Sequence, residues 1–141
     1  MKRFSLSLLF AAIFLCSNRA YSQDPKFYIF LCFGQSNMEG AAKFESEDTV
    51  VDSRFQVLES VDCPDLKREK GKWYPATPPL CRCHTGLSPA DYFGRNLLTH
   101  LPPDAKVGVV HVAVGGCKIE LFDKDRYQDF ISTAPGWMKN I

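Results

Sequence analysis

The apolar positions of the chain gather into short blocks separated by polar, proline-bearing stretches. Phe27-Tyr28-Ile29-Phe30-Leu31-Cys32-Phe33 is an unbroken apolar run ending at Gly34. Its length, aromatic content and terminal glycine predict a strand buried on both faces, as in a parallel sheet. Arg54 to Ser60 predicts a short strand with Phe55, Val57 and Leu58 as its apolar content. Residues 62–87 carry Pro64, Pro75, Pro78 and Pro79 with two glycines, and read as a long irregular excursion. Excursions of that length in compact domains often line a site. Ser88-Pro89-Ala90-Asp91 announces a helix with an N-cap, a proline at N1 and an acid at N3. Tyr92, Phe93, Leu97 and Leu98 are expected to share one face, and Pro102-Pro103 stops the helix. Lys106 to Val114, rich in valine, predicts a further strand closed by Gly115-Gly116.

This order predicts an α/β fold with a right-handed crossover between parallel strands. Ligands of such sheets sit beyond the carboxyl ends of the strands. The turns after Phe33 and after Val114 both fall at that edge.

The first residues read differently. Lys2 and Arg3 precede an apolar stretch from Phe4 to Cys16, and Ala20-Tyr21-Ser22 offers small residues for cleavage before Gln23. That is the pattern of a secretory signal, and its apolar run is too short to span a bilayer comfortably. The expected organisation is a signal peptide over 1–22 and one domain portion over 23–141. The expected destination is the periplasm or the exterior, with no stable membrane association after cleavage. Removing Lys2, Arg3 and Arg19 leaves 14 basic against 16 acidic residues, a formal net charge of −2. No basic block interleaves with aromatics, so nucleic-acid binding has little support.

Cys32, Cys63, Cys81, Cys83 and Cys117 would remain, an odd number that leaves at least one thiol free or paired elsewhere. Cys81-x-Cys83-His84 has neither the usual zinc spacing nor a second ligand pair. A loop with ordinary cysteines and one disulfide to Cys63 is the preferred reading, with the pairing left open.

Chemistry concentrates in Gly34-Gln35-Ser36-Asn37-Met38-Glu39-Gly40, directly after the first strand. A serine hydroxyl is a weak nucleophile and needs a base and donors for the developing oxyanion. A tight strand-to-helix turn exposes the hydroxyl and aims backbone N–H groups beside it. Gly34 is read as the residue whose positive φ permits the sharp bend. A serine so placed after a strand is more often a plain N-cap, and only the full heptapeptide in an exported chain favours a nucleophile. The Gly-x-Ser-x-Gly elbow of α/β-hydrolases fits poorly, because Met38 stands where its second glycine belongs.

Gly34-Gln35-Ser36-Asn37-Met38 resembles the first block of the sialate O-acetylesterase-like group of SGNH hydrolases, which includes carbohydrate esterase family 6 acetylxylan esterases. Val112-Ala113-Val114-Gly115-Gly116-Cys117-Lys118-Ile119 is similar to that group's second strand and glycine turn, and Gly86-Leu87-Ser88-Pro89 to the segment between. The resemblance covers most of 26–138. It implies a three-layer, parallel-sheet, flavodoxin-like SGNH fold truncated at its C-terminus, and a serine esterase acting on acetylated carbohydrate without a cofactor. Ser36 would be the nucleophile and one oxyanion donor, with Gly116 as the second and Gly115 its alternative if the register slips. Cys117 stands where the group commonly has Thr. Gln35 and Asn37 would stabilise the turn. Trp73 and Tyr74 are candidates for stacking on a sugar, although packing the excursion is the favoured role.

Two blocks of the group are missing. No Gln is followed by Gly, and no Asp has a His three residues later, so the Asp-x-x-His that carries the base is absent. The chain is therefore read as incomplete, with little activity expected of it alone. His84, His100 and His111 are weaker candidates for a base, His84 foremost and His111 read mainly as a core or sheet-face residue. Two rivals stand beside the esterase: a non-catalytic carbohydrate-binding or interaction module on the same fold, and a nucleotide-binding domain. The latter lacks both G-x-G-x-x-G and G-x-x-x-x-G-K-[ST].

Overall fold

Each apolar block forms the element its pattern predicts, and the differences lie in what surrounds it. A computed structural model of the chain describes residues 24–126. The leader expected over 1–22 lies outside the described residues. In chain order the elements are β1 (Phe27–Gly34), α1 (Ser36–Glu39), β2 (Phe55–Leu58), β3 (Trp73–Pro75), α2 (Pro89–Leu98) and β4 (Lys106–Ala113). Short 3-10 turns occupy Ser46–Thr49, Pro64–Leu66 and Ile119–Phe122.

The sheet order is β1-β4-β2-β3. β4 runs parallel to both β1 and β2, while β3 returns antiparallel to β2. The excursion is thus less irregular than its prolines imply, since it folds back as a strand. Phe55, Val57, Val107 and Val109 are fully buried, and with Leu80, Ala90 and Leu98 they form the core. Burying each such side chain stabilises the fold by roughly 1.5–3 kcal/mol.

β1 departs from expectation. Among the described residues it lies at the edge of the sheet, and Tyr28, Ile29, Leu31 and Phe33 are 43–61% exposed. An apolar run reports that a strand is suited to burial on both faces, not that its covering elements are among the described residues.

The inner face of α2 also differs. Ala90, Asp91, Gly94 and Leu98 are buried, whereas Tyr92 and Phe93 are largely exposed. The helix lies so close to the sheet that small residues occupy the contact. The aromatic rings sit at its rim, with the Tyr92 hydroxyl on Asp48 and Phe93 edge-on to Phe30 at 5.0 Å. A Cβ at Gly94 would lie 2.0 Å from Phe55 Cε2. Replacing a helical glycine by alanine favours the helix by about 1 kcal/mol. Overpacking a closed core costs about 1–3 kcal/mol, and here the obstacle is an aromatic ring without a flexible tip. Gly94→Ala is therefore expected to lose about 1–2 kcal/mol in urea denaturation, with Phe55→Leu recovering part of it in the double variant. A stabilised Gly94→Ala protein would show that close approach is not what selects glycine here.

Candidate active site

β1 and β4 are parallel neighbours with Gly34 opposite Ala113, so their carboxyl ends lie side by side. The two bends that follow are tied together. Val114 N–H donates to the Gly34 carbonyl at 3.0 Å, and the buried Cys117 thiol approaches the same oxygen at 3.7 Å. Cys117 thus touches the bend that leads into Ser36.

After Gly34 the chain forms a single helical turn. Glu39 N–H donates to Gln35 O at 2.8 Å and Gly40 N–H to Ser36 O at 3.2 Å. None of its residues is buried, and Ser36 is exposed to solvent. Gly34 has the positive φ expected of it. At 157° that φ lies at the extended edge of the range side chains avoid, and Met38 also stands in the way, its Cβ 3.0 Å from an added Cβ. Gly40, at 91°, and Gly116, at 72°, also have positive φ; nothing lies within 4 Å of a Cβ placed on Gly116. Such left-handed backbone favours glycine and turns the amide out of the ladder. Among the described residues, the backbone N–H groups of Ser36, Gly115 and Gly116 donate to no protein acceptor. Two adjacent bends therefore present a solvent-facing hydroxyl and unsatisfied amides, the donors an oxyanion requires.

Two further groups fasten this corner. The Glu39 carboxylate would sit 2.5 Å from a Cβ on Gly115 and is paired with the Arg82 guanidinium. From inside the sheet, His111 Nε2 lies 2.8 Å from the Met38 carbonyl oxygen. Neither contact is visible in the sequence, because 43 and 73 positions separate the partners.

Beside α1 opens a cleft of about 1010 Å³ between residues 39–45 and 82–86. Lys43, Phe44, Glu45, Arg82, His84 and Thr85 give it a mixed polar and aromatic lining. Gly86 N–H donates to Gly40 O at 2.9 Å and Leu87 N–H to Ala42 O at 2.8 Å, closing one side. The 82–86 wall is also tied to Cys63 by a Cys63–Cys83 disulfide. Cys81 is free and buried, its thiol 3.3 Å from Ala113 O and its pKa pushed up to about 11, chiefly by burial. Cys83 is thus oxidised and Cys81 faces a backbone carbonyl.

Trp73 and Tyr74 are not brought to this corner. Trp73 packs against Phe27, at the opposite end of β1 from Ser36, with ring centroids 5.0 Å apart. The Tyr74 hydroxyl accepts the Glu69 N–H at 2.9 Å. Both rings fasten the excursion to the body. His84 borders the cleft, whereas His100 bonds Asn96 O at the end of α2.

A family model described as carbohydrate esterase, sialic acid-specific acetylesterase matches residues 26–140. The fold is similar to that of a crystallographically solved Arabidopsis thaliana protein, with a TM-score of 0.54 and 22% sequence identity. That match covers 77% of this chain and 49% of the plant protein, so this chain corresponds to about half of its length. With the family match running through both strand-end bends and the segment between them, the chain belongs to the sialic acid-specific acetylesterase family of carbohydrate esterases.

Proposed function

We propose that this chain carries the nucleophile half of an exported serine esterase that removes O-acetyl groups from carbohydrate. The carrying observation is the tie between the two bends, Val114 N–H on Gly34 O at 3.0 Å. It joins the bend that carries the exposed Ser36 to the bend that carries the Gly115 and Gly116 amides. Ser36 Oγ attacks the acetyl carbonyl, and the N–H groups of Ser36 and Gly116 stabilise the tetrahedral oxyanion, with Gly115 as the alternative donor. The sugar alcohol leaves, and water then releases acetate from the acyl-serine. A general base takes the Ser36 proton and returns it to the leaving alcohol; no Asp-x-x-His occurs in these 141 residues. No metal or organic cofactor enters this scheme.

The uncovered β1 fits the same proposal. Its exposed apolar side chains suit a further layer and neighbouring strand of a three-layer SGNH domain. The cleft beside α1 is the natural seat for the sugar, with Phe44 available as a stacking face. Acetylxylan and sialic-acid-type esters are the substrates to compare. Export agrees with the Cys63–Cys83 disulfide, a bond characteristic of oxidising compartments. Among the described residues, no helix is long and apolar enough to cross a membrane.

The test uses the protein extended through its natural stop codon. It should release acetate from acetylated xylan or O-acetylated sialic acid, and a fluorophosphonate should label Ser36. An extended protein that binds these glycans but neither releases acetate nor takes up the label would instead be a non-catalytic binding module.

A further inference from the structure

The mechanism above uses no group from inside the sheet, yet one buried side chain reaches the nucleophile turn. His111 stands near the carboxyl end of β4, opposite Cys32 of β1, and is 0% exposed. Its Nε2 lies 2.8 Å from Met38 O. A carbonyl oxygen only accepts, so the ring proton sits on Nε2 and the imidazole donates. The acceptor matters. α1 is one turn long, and a single turn has no stability of its own. Carbonyls in the last turn of a helix lack intrahelical donors, and His111 supplies one for Met38.

Asp91 of α2 is also fully buried. Its Oδ2 accepts the Ser88 N–H at 2.9 Å and the Ser88 hydroxyl at 2.8 Å, which fixes the carboxyl group. Asp91 Oδ1 and His111 Nδ1 are both buried without a protein hydrogen-bond partner among the described residues. Burial, the larger influence, holds the His111 pKa below its ordinary value, so the ring stays neutral with Nε2–H as its donor.

We propose that His111 is a positioning residue of the nucleophile turn. Its Nε2–H holds the Met38 carbonyl, and with it the single helical turn, against β4, so that the Ser36 hydroxyl and amide stay aimed beside the Gly115-Gly116 bend. The role rests on reading Ser36 as the nucleophile. His111 is not the base, because it is buried and its proton is committed to a carbonyl.

Three variants of the protein extended through its natural stop decide the matter. Turnover of p-nitrophenyl acetate is measured per fluorophosphonate-titrated site, together with melting temperature. His111→Leu removes the donor and is expected to lower kcat about 10²-fold with little change in KM, the scale of a misaimed reacting group. His111→Gln keeps an N–H donor of similar reach and is expected to recover kcat to within about fivefold of the parent. Unchanged kcat per site in His111→Leu would overturn the proposal, as would a His111→Gln protein no better than His111→Leu. Should His111→Leu not fold, His111→Gln decides alone: parent-like kcat supports positioning, and a loss of about 10²-fold refutes it. Ser36→Ala is the control that separates the two ideas, since turnover surviving there removes the nucleophile reading itself.

Discussion

Ser36→Ala in the extended protein is expected to lower kcat on an aryl acetate by about 10⁴-fold or more while leaving the fold intact. The two halves of that expectation have separate grounds. Ser36 is exposed, α1 buries none of its residues, and the Ser36 hydroxyl makes no hydrogen bond among the described residues. Surface substitutions of that kind change stability by about 0.5 kcal/mol or less. The chemistry has no such tolerance. Without the oxygen there is no acyl-serine, and only the amides of the two bends remain to assist attack by water. Oxyanion donors and substrate binding alone retain about 10³–10⁴-fold over the uncatalysed reaction, so a residue of activity is expected. Initial rates on p-nitrophenyl acetate and far-UV melting curves measure the two halves independently. Parent-like rates in Ser36→Ala would move the nucleophile elsewhere, and a collapsed melting curve would show that Ser36 is structural.

Much of this corner was legible from local pattern because local pattern decides it. The run 27–33 and the valine-rich stretch 106–114 became parallel neighbours, and the two glycine-bearing bends met at one edge. Ser88 and Asp91 form the cap their spacing predicted. What escaped has a common cause: it depends on partners far away in sequence. Apolar periodicity could not place β1 at an edge, because it carries no record of which neighbours are present. Large side chains at 92 and 93 outweighed Ala90 and Gly94 in predicting the inner face of α2, although close approach to Phe55 rewards the smaller residues. Cysteine spacing left the Cys63–Cys83 pairing open, since several pairings satisfied it. His111 looked like a core residue and is one; only its Met38 contact gives it a role near the chemistry.

The excursion that forms one wall of the cleft is itself held by a buried ion pair, and Arg68→Ala should expose how. The Arg68 guanidinium lies 3.5 Å from Glu59 Oε2, and donates to Pro79 O at 2.9 Å and Thr77 O at 2.6 Å. The two side chains are 8% and 2% exposed. Removing one partner of such a pair leaves the other charge uncompensated, at a cost of about 3–5 kcal/mol near neutral pH. The penalty should depend on pH in a defined direction. Burial raises the Glu59 pKa above its ordinary value, and Arg68 opposes that rise. A carboxyl whose folded pKa is raised contributes stability that is present below its unfolded pKa and lost as pH climbs through the folded pKa. Deleting Arg68 removes the opposing pull, so the folded pKa rises further and the loss extends to higher pH. Measured against the parent at each pH, the Arg68→Ala deficit should be largest at the higher pH and shrink as pH falls and Glu59 takes up its proton. Adding Glu59→Gln should recover about 2 kcal/mol at the higher pH, because no charge is then left buried. Urea denaturation of the parent, single and double variants reads all three quantities. A deficit equal at high and low pH, with no recovery from Glu59→Gln, would assign the whole effect to the two carbonyls that lose their donor. The cleft wall would then be held by those hydrogen bonds and not by charge.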